Sequence, residues 1–413
     1  MKKGDQGSLV WLVSPYEVPP GRGYRVGRWE NLARVLTDAG HEVVVVISDY
    51  CHGGKEHRGL TARPLDLGPR WSVVSLPGFA YKTNISIRRL VAEFLFAIRL
   101  LVRFWNVDRA PDAIVCKEPP AIVGLAALLL SRRFGAVHVS DIVDLWPELF
   151  EKVLPGFRPT LFAPAFWMIR CMRTLVLGKS HGVVSYAARF YNVVDVRRPR
   201  IVVYNGLPTR ASSGDSSEGA EEAVDGTPLR VVYLGTIGNN YDIKTVLDVA
   251  ERLSREGREV HFTFAGYGPL AKDVAAVAER IPGTVTYLGR LPFEDIPSLL
   301  AASDIGLMPY VRGSTVELPD KFYDYIAAGL PMITSIHGEV GEILETEGCG
   351  CVYSAEDVDS LYQSIVKVRD AGQIGSMRRA ARRIRGRFAA EIQFARYRTF
   401  IEELIDRKAE SRQ

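Results

Sequence analysis

Short runs rich in Val, Ile and Leu recur along the chain between longer segments with helical periodicity. EVVVVIS (42–48), for example, follows the segment 28–40, whose apolar residues fall on one helical face and which ends at Gly40. Near-continuous β-branched runs are typical of parallel strands that helices cover on both faces. The strands predicted in the first half are LVWLVS, EVVVVIS, WSVVSLP, PDAIVCKEP, AVHVSDIVD, GVVSYA and RIVVYN.

One stretch interrupts this alternation. NGLPTRASSGDSSEGAEEAVDGTPLR (205–230) is small, polar and acidic, and we interpret 208–228 as a flexible linker. The alternation then restarts, with a helix at 244–256, and 413 residues are too many for one ordinary core. The sequence therefore predicts an α/β chain of two doubly wound, Rossmann-like parallel-sheet domains, at 1–207 and 229–386, with ligands at the carboxyl ends of strands and in the cleft between domains. The strands of the second half are LRVVYLGT, VHFTFAGYG, VTYLGRL, IGLMPY, PMITSI and GCVYS.

Composition and charge narrow the class of protein. The chain is 47% hydrophobic and 24% charged with a net charge of +4, which does not suggest a nucleic-acid binder. Five cysteines form no C-x-x-C pair, which argues for reduced thiols in a cytosol and against a zinc site. The first apolar run is too short for a secretory signal, and no segment reaches the roughly 20 apolar residues of a membrane span. We expect a cytoplasmic protein.

Three glycine-containing loops follow predicted strands. PPGRGYRVGRW (19–29), LGTIGNNYD (234–242) and GYGPL (266–270) each let the main chain approach a ligand at the start of a helix. None has the G-x-G-x-x-G spacing of a dinucleotide site, so each fits an ordinary turn as well as an anion site. The candidate residues are Gly21, Gly23 and Arg25, with Arg28 adding charge, in the first loop, Gly235, Thr236 and Gly238 in the second, and Gly266 and Gly268 in the third.

A short helix is predicted in LPDKFYDYIAAGLP (318–331). Pro319 and Asp320 mark its start, and Gly329 its end. Lys321 lies in the first turn, where the helix dipole disfavours a cation, and Asp324 lies one turn further on the same face. An anion bound at this N-terminus explains the lysine, because free backbone N–H groups and the ammonium then act together. The alternative is a surface Lys321–Asp324 ion pair.

Taken together, these motifs resemble family 4 glycosyltransferases, which are retaining nucleotide-sugar enzymes of the GT-B fold. The resemblance runs over about 350 residues, and DLWPE and PDKFYDY are most similar to the branch that assembles bacterial surface polysaccharides on lipid carriers. It implies a terminal helix, 387–413, that packs back on the first domain. The motifs are PPGRGYR, AGHEVVVVIS, DIVDLWPE, YNGLP, YLGTIG, AGYGPL, GRLPFEDIPSLLAASDIGLMPY and LPDKFYDYIAAGLPMITSIHGEV.

The resemblance also implies roles for single residues. The family uses two carboxylates to bind the donor. The position of the first is occupied here by Val316, with Glu317 beside it, so the backbone amides of 315–318, up to Leu318, would take over its task. The position of the second is occupied by Asp324, which would bind a ribose hydroxyl. The Arg and Lys that usually follow the glycine loop are missing, which leaves Lys321 as the basic ligand of the diphosphate. A catalytic-domain His is often found in the family near the DLWPE position, where this chain has Asp144. Asp144 would then orient the acceptor hydroxyl, and a structural role is the alternative. The base would lie against the Gly266–Gly268 loop and against Arg290 and Leu291.

The implied reaction moves a sugar from a nucleotide-sugar donor, with UDP-sugars favoured, to a lipid-linked saccharide. No metal or other cofactor is expected, since N–H groups and Lys321 would stabilise the leaving diphosphate. The Arg-rich, aromatic segments 85–105 and 161–179 predict peripheral contact with the anionic inner face of the plasma membrane and access to a polyprenyl-diphosphate acceptor. Amphipathic helices that cover the sheet are the alternative for these segments. For the whole chain, the alternatives are a non-catalytic nucleotide- or lipid-binding partner and a nucleotide-sugar 2-epimerase.

Overall fold

Two compact units make up the chain. We describe them from a computed structural model, which describes residues 7–19, 26–61, 65–83, 86–148, 159–207, 228–370 and 372–411. The first unit is Met1–Asn205 with Ala390–Gln413, and the second is Gly206–Ala389. Each unit is built around its own parallel sheet.

The strands of the first unit are β1 (Leu9–Val13), β2 (Glu42–Ser48), β3 (Tyr50–Cys51), β4 (Glu56–His57), β5 (Leu65–Gly68), β6 (Trp71–Leu76), β7 (Ala113–Glu118), β8 (Val137–Ile142), β9 (Gly182–Ser185) and β10 (Arg200–Val202). Those of the second unit are β11 (Leu229–Leu234), β12 (Val260–Ala265), β13 (Val285–Gly289), β14 (Ile305–Met308), β15 (Met332–Thr334) and β16 (Gly350–Val352).

Helices lie between the strands. They are α1 (Arg28–Asp38), α2 (Ile87–Phe104), α3 (Ala121–Phe134), α4 (Pro159–Lys179), α5 (Ile243–Arg255), α6 (Ala271–Arg280), α7 (Ile296–Ala301), α8 (Asp320–Ala327), α9 (Glu339–Glu347), α10 (Val358–Asp370), α11 (Ile374–Ile384) and α12 (Ala390–Glu410). Short 3-10 helices lie at Ala188–Asn192, Phe293–Asp295 and Arg385–Phe388.

The sheet of the first unit has the order β10-β9-β8-β7-β1-β2-β6-β5 in the described residues. Its strands pair parallel except at one edge, where β5 is antiparallel to β6. Apolar residues of α1 and α12 pack on one face, and residues of α2 and α3 pack on the other. The buried Val and Ile side chains of the central strands therefore contact helices on both sides, which is why their sequences do not alternate with polar residues.

Arg28 is the first residue of α1, and its guanidinium is buried. It donates to both carboxylate oxygens of Asp141 on β8, over 2.7 and 2.9 Å, and to the carbonyl of Val203 over 2.7 Å. Its guanidinium carbon lies 5.5 Å from the centre of the Tyr397 ring on α12. This buried, bidentate ion pair joins α1, β8 and α12 inside one unit. The sequence interpretation of Arg28 as part of an anion-binding loop is therefore wrong: the side chain holds the core together.

The sheet of the second unit has the order β13-β12-β11-β14-β15-β16, and the strands described there are parallel. The strand order reverses between β11 and β14, which makes the carboxyl ends of these two strands the switch point of the sheet. Apolar residues of α5, α6 and α10 form the core on one face.

The predicted class of fold is confirmed, since both halves are doubly wound parallel sheets with helices between the strands. The β3–β4 hairpin and the edge strand β5 were not predicted, because their sequences lack an apolar run. The predicted linker, 208–228, lies outside the described residues except for its last residue. The boundaries between the two units lie after Asn205 and after Ala389. The domain ends expected from the sequence were 207 and 386.

Candidate active site

A tyrosine of α8 lies at the switch point of the second sheet. The Tyr325 hydroxyl accepts the N–H of Leu234 over 3.0 Å and lies 3.2 Å from the carbonyl of Leu307, to which it donates. Leu234 ends β11 and Leu307 belongs to β14, so this one buried side chain bridges the two strands that diverge there. Gly306 makes room for the ring, since a Cβ at that position would lie 2.5 Å from a ring carbon. The result is a fixed position for the N-terminus of α8.

Three loops meet at the same edge of the sheet. The Gly235 N–H donates to Ala265 over 2.9 Å, and the Gly266 N–H donates to Gly289 over 2.7 Å. Gly266 has a φ of +156°, and a Cβ there would lie 1.7 Å from the Gly235 carbonyl oxygen. A side chain at Gly266 would therefore force these loops apart. The second and third glycine loops of the sequence thus form one surface, together with the end of β13.

Lys321, in the first turn of α8, points into an aromatic enclosure. Its Nζ lies 4.3 Å from the ring centre of Tyr233, 4.1 Å from that of Tyr241 and 5.2 Å from that of Tyr310. The residue is only 6% exposed, and no hydrogen-bond partner of Nζ is found among the described residues. Burial lowers the pKa of Lys321 to about 7, against the opposing effect of Asp320 and Asp324. The sequence alternative of a surface ion pair is therefore wrong.

Gly235 lies beside the same amine. A Cβ at Gly235, whose φ is +124°, would lie 3.8 Å from Nζ of Lys321. The lysine amine therefore lies directly against the main chain of the loop that follows β11. This contact brings the glycine loop and the short helix together, although Gly235 and Lys321 are 86 positions apart in the sequence.

The segment before α8 is held by a different set of contacts. The Glu317 carboxylate accepts the N–H of Glu339 over 2.7 Å, and the Glu317 carbonyl accepts the N–H of Val340 over 3.1 Å. Both donors belong to the first turn of α9, where backbone N–H groups have no partner within the helix. Glu317 thus caps α9 in this structure. Leu318 is buried, Val316 and Asp324 are half-buried, and the Val316 N–H donates to Ser314 Oγ over 3.3 Å.

The remaining candidates of the second unit lie on the outer part of this edge. The Arg290 side chain is exposed, and its guanidinium carbon lies 5.2 Å from the ring centre of Tyr267. Thr236 is exposed, Leu291 is half-buried, and Gly238 is buried. The Leu270 N–H donates to Ile237 over 3.1 Å, which joins the loop at 234–242 to the loop at 266–270. An aromatic ring with a guanidinium beside it is a surface on which a planar base can stack.

Asp144 belongs to the first unit and follows β8. Its Oδ1 accepts the N–H of Leu145 over 2.9 Å, and burial raises the pKa of its carboxyl despite hydrogen bonding and the nearby charge of Arg89. A carboxyl whose pKa is raised is suited to exchanging a proton. Gly21, Gly23 and Arg25 lie outside the described residues. In the part of the chain that the structure describes, no group of three or more His, Cys, Asp or Glu side chains could hold a metal ion; a metal-free reaction stays a prediction.

The tyrosines around Lys321 are the part of the site that sequence reasoning missed. Tyr233 is in β11, Tyr241 precedes α5, and Tyr310 follows β14. A signal was present, because Tyr233 and Tyr310 lie at the carboxyl ends of the two strands that flank the switch point. Recognising it requires the strand order, which a single sequence does not give.

Two known domain families match the chain over these two units. The family described as "Glycosyl transferase 4-like domain" matches residues 26–206, and "Glycosyl transferases group 1" matches residues 228–370. This chain belongs to the family 4 glycosyltransferases.

The chain is also similar in sequence to known relatives and in fold to solved structures. The chain is 20% identical over 144 residues to the putative colanic acid biosynthesis glycosyltransferase WcaL of Escherichia coli, a match that covers 34% of this chain and 36% of the relative. The chain thus spans about a third of the length of that relative. Sucrose-phosphate synthase of Thermosynechococcus elongatus has a TM-score of 0.70 at 13% identity over 97% of this chain and 99% of its own. Anabaena HepE, in complex with UDP and glucose, has a TM-score of 0.61 at 15% identity over 96% of this chain and 100% of its own. These likenesses show the GT-B fold.

Proposed function

We propose that this glycosyltransferase transfers a hexose from a nucleoside diphosphate sugar to a lipid-linked saccharide, with retention of the anomeric configuration. One observation carries the proposal: the buried Lys321 amine, without a hydrogen-bond partner among the described residues, lies in the first turn of α8 beside Gly235. A buried amine of this kind is costly unless a ligand uses it. An anion with several oxygens satisfies both the amine and the free N–H groups of the helix start.

The chemistry follows from the charge of the leaving group. When the glycosidic bond breaks, negative charge accumulates on the diphosphate oxygens. Positive groups that are already fixed in place stabilise that charge without reorganisation during the reaction. Lys321 and the N-terminus of α8 are such groups, because Tyr325 fixes the helix against β11 and β14. In this proposal Asp324, one turn further, accepts hydrogen bonds from the ribose hydroxyls.

The proposed base site is the outer part of the same edge. The Gly266–Gly268 loop lies directly against the 234–242 loop. In this proposal a planar base rests on the surface that the two loops form, and the main chain next to Arg290 and Leu291 offers N–H and carbonyl groups to its edge. We favour a uridine donor. In support, the HepE structure of similar fold is described in complex with UDP and glucose.

A lipid-linked acceptor is supported by the surface of α2. This helix has a buried stripe that packs on the sheet, and a second apolar stripe that is exposed. Ile87 is 80% exposed, Phe94 53% and Val102 77%, and these residues fall on one side of the helix. The second stripe consists of Ile87, Leu90, Val91, Phe94, Ile98, Val102 and Trp105.

Basic residues accompany this exposed stripe. Arg88 and Arg103 are exposed on α2, whose glutamate, Glu93, is buried. Trp167 and Met168 are exposed on α4, which packs with α2 against α3. Apolar side chains flanked by arginines fit the headgroup region of an anionic leaflet. We therefore propose peripheral attachment to the cytoplasmic face of the membrane; no described helix has the length and apolar character that spanning a bilayer requires.

Asp144 is the proposed acceptor residue of the first unit. The raised pKa of its carboxyl suits a group that orients the attacking hydroxyl or receives its proton. We propose this role from the chemistry of the Asp144 carboxyl and its surroundings within the first unit.

The test is a transfer assay with UDP- and GDP-hexoses and a polyprenyl-diphosphate monosaccharide in detergent. We expect nucleoside diphosphate release that depends on the acceptor, a product whose anomeric signal in NMR matches the donor, and loss of release in Lys321→Met. Inversion at the anomeric carbon would contradict a retaining mechanism. Nucleotide binding without release, for every donor in the panel, would favour the non-catalytic partner.

A further inference from the structure

We propose that Tyr233, Tyr241 and Tyr310 are positioning residues, which hold the Lys321 ammonium by their ring faces so that its N–H bonds stay available to the diphosphate of the donor. We call these three residues the tyrosine cage. The proposal rests on the proposed function, since it assigns a task to residues around the same lysine. It extends the site to three side chains from three different segments of the chain.

The geometry of the cage supports this role. The three ring centres lie 4.1 to 5.2 Å from Nζ, within the distance at which a cation is attracted by an aromatic face. A ring face attracts an ammonium without consuming its N–H bonds, whereas a carboxylate partner would occupy them. The cage therefore stabilises the charge and leaves the N–H bonds available, and within the described part of the chain Nζ has no hydrogen-bond partner.

The tyrosines are themselves fixed. Tyr241 and Tyr310 pair as an isolated antiparallel bridge, and their ring centres lie 4.9 Å apart. The Tyr233 hydroxyl donates to the carbonyl of Thr236, within the glycine loop next to Lys321. The Tyr310 N–H donates to Ser335 Oγ over 2.6 Å. These contacts hold the rings in place from β11, from the segment before α5 and from the segment after β14.

The cage also makes nucleotide binding depend on pH. Burial holds the pKa of Lys321 at about 7, so the lysine is partly neutral near neutral pH. The charged or titratable groups that face it are Asp320 and Asp324 on its own helix and the three cage phenols, and burial raises the pKa of each phenol. A diphosphate binds the ammonium form, so binding takes up a proton above pH 7. The dissociation constant then rises with pH, by up to about tenfold per pH unit.

The experiment is calorimetric titration of UDP, or of GDP if UDP does not bind, at pH 6, 7, 8 and 9. The proteins are wild type, Tyr241→Leu, Tyr241→Phe and Lys321→Met. Tyr241 is chosen because it is only half-buried, whereas Tyr233 and Tyr310 are buried, so its substitution disturbs the core less than a substitution of either of them. Tyr310→Leu and Tyr310→Phe form a second pair, and a melting curve of each variant shows that it is folded. Lys321→Met has no titrating amine, so it reports the pH dependence of the nucleotide itself.

We expect Tyr241→Leu to bind UDP about three- to tenfold more weakly than wild type at pH 8, with a smaller loss at pH 6, where the lysine is protonated. Tyr241→Phe keeps the ring and should stay within about twofold of wild type. A loss of equal size at every pH, or equal losses in Leu and Phe variants, would overturn the cage in favour of a purely structural role. If Lys321→Met binds as wild type does, the proposed function itself fails; if it binds weakly while Tyr241→Leu and Tyr310→Leu match wild type, only the cage fails.

Discussion

At the scale of single residues, Lys321 occupies a position that costs the folded state free energy. Its amine is buried, and the pKa falls to about 7 because burial penalises the ammonium. A residue that destabilises the free protein and lies at a helix start next to a glycine loop is typical of a functional site. The same lysine therefore links stability to ligand binding, and the two effects of replacing it have opposite signs.

We predict that Lys321→Met stabilises the protein at low pH. With a pKa of about 7 in the folded state and 10.5 as the ordinary value, the folded state binds fewer protons than the unfolded state between these pH values. Wild-type stability consequently rises with pH from about 7 to 10.5, and the penalty is complete below pH 7. The advantage of Met in the free energy of unfolding should be about 2–3 kcal/mol larger at pH 6 than at pH 9. Guanidinium unfolding at both pH values measures it, and an advantage that does not change with pH would contradict this account.

At the scale of elements, α8 depends on Tyr325. We predict that Tyr325→Phe destabilises the second unit by about 1–3 kcal/mol, because it leaves the partly buried Leu234 N–H without its acceptor and the buried Leu307 carbonyl without its donor. UDP affinity should fall as well, since the helix start shifts relative to Gly235. Tyr353→Phe is the matched control, because Tyr353 is a buried tyrosine of the same unit whose hydroxyl has no hydrogen-bond partner among the described residues. Melting temperatures and UDP titrations of both variants measure the two effects. Equal losses of stability and of UDP affinity in the two variants would contradict a bridging role of Tyr325.

The segment before α8 offers a second test. Because Glu317 caps α9, Glu317→Ala should cost about 1 kcal/mol of stability, while Glu317→Gln, which keeps a carbonyl acceptor, should cost less. UDP-sugar affinity should stay within about twofold of wild type in both. Thermal melting and calorimetry measure the two quantities. If Glu317→Ala leaves the melting temperature unchanged and weakens UDP-sugar binding tenfold or more, the Glu317 carboxylate contacts the donor and does not act as a cap of α9.

These elements show what the sequence could predict. The bounds of α8 were predictable because Pro319 and Gly329 are local signals, and Gly329 has the left-handed φ of +67° that ends such a helix. The meeting of Gly235 with Lys321 followed from the expectation that carboxyl ends of strands share an edge. The tyrosine cage was not predictable, because predicting it requires knowing that β11 pairs with β14, although 70 residues lie between these two strands. The burial of Arg28 depends likewise on Asp141, far along the chain.

At the scale of the whole molecule, two units of similar architecture have different surfaces. The first unit exposes the apolar stripe of α2, while the second carries the lysine site. A helix that presents apolar residues on both of its sides is not explained by packing on its own sheet alone. An anionic membrane surface as the occupant of the outer stripe explains both the apolar residues and the exposed arginines.

We predict that Phe94→Ser with Val102→Ser lowers partitioning onto anionic vesicles by about tenfold, because apolar area no longer enters the headgroup region. The matched control is Leu288→Ser with Phe293→Ser, which removes exposed apolar side chains from the second unit. Flotation with phosphatidylglycerol-containing vesicles at low salt measures the binding. Failure of wild type to float would contradict membrane attachment. If wild type is instead a dimer and the α2 variant is a monomer, a second copy of the chain covers the exposed stripe of α2.

The most direct test of the central claim, that α8 and Lys321 form the diphosphate site, is a thermal shift measurement. Wild type and Lys321→Ala are heated with UDP, GDP, dTDP and ADP, each at several concentrations. A ligand that binds only the native state raises the melting temperature. At a concentration of 100 times its dissociation constant, it increases the free energy of unfolding by about 2.7 kcal/mol. The account predicts that one nucleotide, UDP in our proposal, stabilises wild type and that the shift is lost in Lys321→Ala. Equal shifts in both proteins would place the diphosphate elsewhere and contradict the account.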